Sequence, residues 1–219
     1  MGIPAVLYVL AAMQALPVLA IVVLWGRRPP APLGRLALLC CMFLVSDAVS
    51  LVVARLMGTN LWVPYFTRPV EVGFTLWLLA AWQATPRWSQ VYVAAIPALG
   101  AVSGVLLLLT DPAVSFDRWI GSSQALVALA ASLHTGVHRT LSTREVLLGL
   151  GWFWICCGLA LFWLLYVSVD VFAQTFVATH IDWARTAYFG RAYMLPVTFG
   201  LMTWGVLCQR LRAASLGRS

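Results

Sequence analysis

Two carboxylates, Asp47 and Glu71, lie deep inside stretches of sequence that otherwise read as membrane-spanning helices. Arg68 stands one helical turn from Glu71, and Arg55, Asp170 and Arg191 fall nearer one end of their own apolar stretches. A charged side chain at the centre of a bilayer costs about 2.5–3.5 kcal/mol even on the lenient insertion scale, so such residues face a bundle interior and mark function. The chemistry open to them is limited. A buried acid can protonate a substrate or carry a proton, an arginine can hold an anion, and an arginine–acid pair can simply lock two helices together.

Helical spacing collects these residues on common faces. Asp47, Ser50 and Ala54 repeat at i, i+3 and i+7 beside Arg55, and Arg68, Glu71 and Thr75 do the same. Trp163, Tyr166 and Asp170 continue the pattern, with Arg191 and Thr198 seven apart. Counted along helices rising 1.5 Å per residue, Asp47 and Glu71 lie roughly 13–15 Å below the same surface. Helices joined by a short connection pack as neighbours, so the two acids are expected to share a pocket. The expected picture is an outward funnel with Arg55, Arg68, Tyr166, Asp170 and Arg191 around carboxylates on its floor. Pro69 removes a backbone donor beside them, and Gly73 allows a neighbour to approach. The protonation of Asp47 and Glu71 is left open.

The elements that must position these groups follow from length. About 20 apolar residues cross the hydrocarbon, and seven segments qualify: 3–25, 36–57, 62–83, 91–109, 119–138, 146–172 and 188–208. The expected fold is therefore all-α, one integral membrane bundle of seven transmembrane helices over residues 1–219. Ser142 and Glu145 have capping-box spacing and mark the start of the sixth helix. Arg27, Arg28, Arg35, Arg87, Arg139, Arg144, Arg210, Arg212 and Arg218 fall on one side, against Arg55, Arg118 and Arg185 on the other. The positive-inside rule then places the C-terminus in the cytoplasm and the N-terminus outside. The first apolar run has no charged residue before it and is long enough to span, so it reads as a helix rather than a removable signal.

Composition agrees and excludes several classes. The chain is 62% hydrophobic and 10% charged, against about 25% charged in a soluble domain. All the formal positive charge is arginine; a retinal protein needs a lysine, and there is none. The net charge of +7 sits in short loops beside apolar spans, which orients a membrane protein and does not track nucleic-acid phosphates. Cys40, Cys41, Cys156, Cys157 and Cys208 fall within spans and read as small apolar fillers. His134 and His138, at i and i+4, lack a third ligand at their depth, so no metal is expected. Nucleotide and nucleophile motifs are missing, and no cofactor is implied.

The segment Asn60-Leu-Trp-Val-Pro-Tyr-Phe-Thr-Arg-Pro-Val-Glu71, followed by Trp82-Gln83, resembles small heptahelical bacterial membrane proteins. Gly151-Trp-Phe-Trp-Ile-Cys-Cys-Gly158 and Trp163 to Ser168 resemble the sixth helix of that group. The resemblance covers most of the chain and implies a fold, with no activity attached. In outline the chain is also similar to the seven-helix input regions of sensor kinases. Pro69-Val-Glu71 is similar to the Pro-x-Glu of membrane carotenoid cyclases, whose acids protonate an olefin or epoxide, although Val72 replaces their second glutamate.

These readings favour a multi-pass protein of the inner (plasma) membrane, in contact with membrane lipid. Its outward pocket binds a small ligand, and its state passes to a separate signalling protein. One alternative is an intramembrane enzyme using Asp47 or Glu71 as a general acid on an isoprenoid or lipid. Another is a proton-coupled carrier of a small solute. Enzyme and non-enzyme readings both fit the sequence.

Overall fold

The computed structural model describes residues 5–26, 28–57, 63–109, 118–143, 146–176 and 181–216. Within them the chain forms seven α-helices: α1 (Ala5–Trp25), α2 (Ala31–Met57), α3 (Val63–Ala80), α4 (Pro86–Leu109), α5 (Arg118–Ser142), α6 (Gly151–Phe176) and α7 (Ile181–Leu216). The protein is all-α over the described residues. Among them three helices, Ala31–Met57, Pro86–Leu106 and Gly151–Val171, are long and apolar enough to cross a membrane. Membrane association follows from those three.

The helix ends have local causes. α1 stops at Gly26, whose φ of 61° is the left-handed conformation that closes a helix. The C-terminal carbonyls of α3 face basic and polar side chains. Arg35 Nη1 donates to Trp77 O at 2.6 Å, and Gln83 Nε2 donates to Leu79 O at 3.3 Å. Cations are favoured at that negative end. The capping expectation at the sixth helix is corrected: Ser142 lies in the last turn of α5, where its hydroxyl donates to Arg139 O at 2.9 Å. A single 3-10 turn, Leu147–Gly149, intervenes before α6 begins at Gly151. Glu145, the other half of that motif, lies outside the described residues.

Six of the helices pack in a ring in the order α1, α2, α3, α5, α6, α7 and back to α1, while α4 lies outside it against α3. The tightest seam joins α6 to α7. A Cβ on Gly205 would stand 2.6 Å from Gly151 O, and one on Gly158 would stand 2.8 Å from Thr198 O. Only glycine lets these backbones approach so closely. The apolar core runs through the ring, with Phe43 of α2 packed on Phe162 at a centroid distance of 4.4 Å and on Phe199 at 6.3 Å.

α4 is pinned to α5 at both ends. The Tyr92 hydroxyl donates to Ala131 O at 3.1 Å and lies 2.8 Å from His134 Nδ1 and 3.3 Å from Thr135 Oγ1. Gln124 Nε2 donates to Ser103 Oγ at 2.6 Å near the other end. Tyr92→Phe is therefore expected to cost about 1–2 kcal/mol, because it strips a partner from buried acceptors. Denaturant titration of the purified protein checks this, with Tyr193→Phe, at an exposed position, as the silent control.

Candidate functional site

The buried charges gather where α3, α6 and α7 meet. Arg68 and Glu71 sit on the inner face of α3, 8% and 4% exposed, with Arg68 Nη1 3.6 Å from Glu71 Oε2. The Arg68 guanidinium lies 3.8 Å from the centroid of the Tyr166 ring, and Arg191 lies 3.6 Å from the same centroid. Two cations thus share one phenol. Trp163, fully buried one turn before Tyr166 on α6, is 5.9 Å from Arg68. A desolvated cation over an aromatic ring gains about 2 kcal/mol, which helps hold the buried Arg68 guanidinium beside the half-buried Arg191.

Asp170, 4% exposed, completes the group one turn beyond Tyr166, within electrostatic reach of both Arg68 and Arg191. Two buried acids therefore face the buried Arg68 and the half-buried Arg191. Satisfaction by hydrogen bonds is incomplete, however. Among the described residues, Arg68 Nε, Trp163 Nε1 and Asp170 Oδ2 are buried without a hydrogen-bond partner, and Arg68 Nη1 has the 3.6 Å ion-pair contact to Glu71 in place of a hydrogen bond. Buried polar atoms are normally paired, and each exception calls for an explanation. Here donors and an acceptor stand unused within one constellation.

Asp47 occupies the margin. Its Oδ2 accepts a 2.6 Å hydrogen bond from Gln14 Nε2 of α1, and the residue is exposed. It remains near enough to Glu71 and Tyr166 to interact with both electrostatically. The reason lies in α2, whose buried residues run from Leu33 to Ser46 and stop there. From Asp47 to Met57 no residue of α2 is buried, so the helix parts from the bundle beside the cluster. Ser46, 4% exposed, lies next to Glu71 on the inner side of that departure.

The positions named from the sequence thus separate into three groups. Arg68, Glu71, Tyr166, Asp170 and Arg191 come together. Asp47 borders them and is held by α1. Arg55 is exposed in the last turn of α2 and is not drawn in; a cation there meets the negative end of its own helix. Thr75 and Thr198, placed on the same faces by spacing, turn their hydroxyls back to Glu71 O and Leu195 O at 2.9 and 2.7 Å. Gln14 and Ser46 are the members that spacing did not find. Gln14 is the one amide in the first apolar stretch, and that isolation was the available signal.

The other polar features lie elsewhere. His134 and His138 stack at 5.5 Å, and the Tyr92 hydroxyl occupies His134 Nδ1. Two apolar grooves also lie away from the cluster, one of about 520 Å³ between α3 and α4 and one of about 270 Å³ between α5 and α6. No protein-family model, curated protein or solved structure matches the chain.

Proposed function

We propose that the chain is a seven-span protein of a bacterial inner membrane, N-terminus outside and C-terminus cytoplasmic, that binds a small polar ligand. The site is formed by Arg68, Glu71, Tyr166, Asp170 and Arg191, with Asp47 at its entrance, and occupancy passes to a separate signalling protein. The arginine asymmetry between the two sides supports the orientation. The observation that carries the binding reading is the set of unused buried polar atoms on Arg68, Trp163 and Asp170. Unpaired amide oxygens also occur at the Gln83 and Gln124 helix contacts; what sets the cluster apart is that four such atoms, each costing about 1–3 kcal/mol, fall on three neighbouring residues. A ligand offering both acceptors and a donor would recover that cost.

Catalysis by a general acid takes second place. An acid that protonates an isoprenoid would face an apolar chamber, whereas Glu71 faces Arg68 and Ser46. The test is thermal unfolding of detergent-purified protein against amino acids, organic acids and polyols. At least one class is expected to raise the midpoint, and Glu71→Gln and Tyr166→Ala are expected to abolish the rise. A rise that survives both changes, or none from any class, would leave the cluster a helix lock.

A further inference from the structure

The groove between α3 and α4 is a second feature, independent of the polar cluster. Its lining is apolar and includes Pro69, Gly73 and Trp77 of α3 with Ile96 and Gly100 of α4. The two helices are close at Gly73, where an added Cβ would meet Ile96 Cγ2 at 3.3 Å. They separate at Gly100, where an added Cβ would meet nothing within 4 Å. The residues on α3 repeat at i, i+4 and i+8, a row about 12 Å long by helical rise. That row lies on the face of α3 away from Glu71.

The groove has a charged end. Arg35, in the second turn of α2, places its guanidinium 4.5 Å from the Trp77 ring centroid. Arg87 stands exposed in the first turn of α4, at the same end of the antiparallel α3–α4 pair but, nine residues before Ile96, on the face of α4 opposite the groove. Both arginines and Trp77 are close to helix ends, where a spanning helix meets lipid headgroups. Pro69 lies two turns deeper. An apolar channel running inward from a basic mouth matches one leaflet lipid with its chain aligned to the helices.

We propose that this groove binds an anionic glycerophospholipid, one acyl chain lying along Trp77, Gly73 and Pro69 and the phosphate facing Arg35. The groove volume, about 520 Å³, falls in the range of about 300–1,000 Å³ that holds small ligands. An arginine near a membrane surface favours an anionic lipid about fivefold. Trp77 touches the chain, so it reports occupancy directly.

The experiment uses chain-brominated lipids, whose bromine quenches an indole on contact. Purified protein is reconstituted in phosphatidylcholine bilayers containing graded amounts of brominated phosphatidylglycerol or brominated phosphatidylcholine. The Trp77 signal is the difference between the parent and Trp77→Phe. Half-quenching of that signal is expected at about fivefold less brominated phosphatidylglycerol than phosphatidylcholine. Arg35→Gln is expected to erase the preference, and Arg87→Gln, on the far face of α4, to leave it unchanged. Gly100→Leu, which fills the open part of the groove, is expected to remove the Trp77 quenching by either lipid. Equal half-quenching for both lipids, or quenching untouched by Gly100→Leu, would overturn the proposal. So would a Trp77 signal that neither lipid quenches, the result expected if a second copy or another helix covers the groove.

Discussion

Arg68→Met is expected to lower the free energy of unfolding by about 3–5 kcal/mol, the cost of removing one partner from a buried charge pair. Glu71 and Asp170 are each 4% exposed and would lose a cation within their reach. Tyr166 would keep only Arg191. The measurement is unfolding in mixed detergent micelles titrated with a denaturing detergent. Arg55→Met is the control; that arginine is exposed, and its loss should shift stability by no more than about 0.5 kcal/mol. Combining Arg68→Met with Glu71→Gln should recover part of the loss, because coupled residues are not additive. A change below about 1 kcal/mol in the single variant would mean that water already compensates these charges.

The second large effect concerns the α6–α7 seam. Gly205→Ala is expected to destabilise by about 3 kcal/mol, at the upper end of the cost of overpacking. Its methyl would stand 2.6 Å from both Gly151 O and Ile155 Cγ1, and one of these contacts is to backbone that cannot rotate away. Gly200 on the same helix is exposed with open space at its Cβ. Gly200→Ala should therefore stabilise by about 0.5–1 kcal/mol through helix propensity. Opposite signs from one substitution type on one helix, read by the same titration, isolate the seam. Equal effects at the two positions would refute close backbone packing there.

The arrangement of the candidate residues was legible where spacing along a single helix decided it. Arg68 with Glu71, and Trp163, Tyr166 and Asp170, share faces because i, i+3 and i+7 must, and the structure places them so. What crosses between helices was harder to read. Sequence placed Asp47 and Glu71 in one pocket because α2 and α3 are consecutive. Nothing local announced that α2 leaves the core after Ser46 or that Gln14 would take the Asp47 carboxylate. Gly151, Gly158 and Gly205 likewise became a seam only once α6 and α7 were known to be neighbours. Helix ends were the least readable. α7 runs from Ile181 to Leu216, well past the apolar stretch 188–208, because a helix satisfies its own backbone hydrogen bonds and can run on through polar residues.

The place of α4 outside the ring has a topological consequence. Gln83 Nε2, just past α3, donates to Thr135 Oγ1, and Arg139 Nη1 donates to Trp82 O, so the C-terminal ends of α3 and α5 lie together. Those two neighbours run in parallel, and a parallel pair cannot be joined by a tight turn. Something must carry the chain back over the full height of the bundle, and α4 is that return stroke. Its outward side chains answer to span and greasiness more than to fit, so exchanges among Val91, Val93, Val102 and Val105, all exposed, should pass almost unnoticed. Shortening α4 by two turns would strand the start of α5 at the wrong height and undo the ring itself.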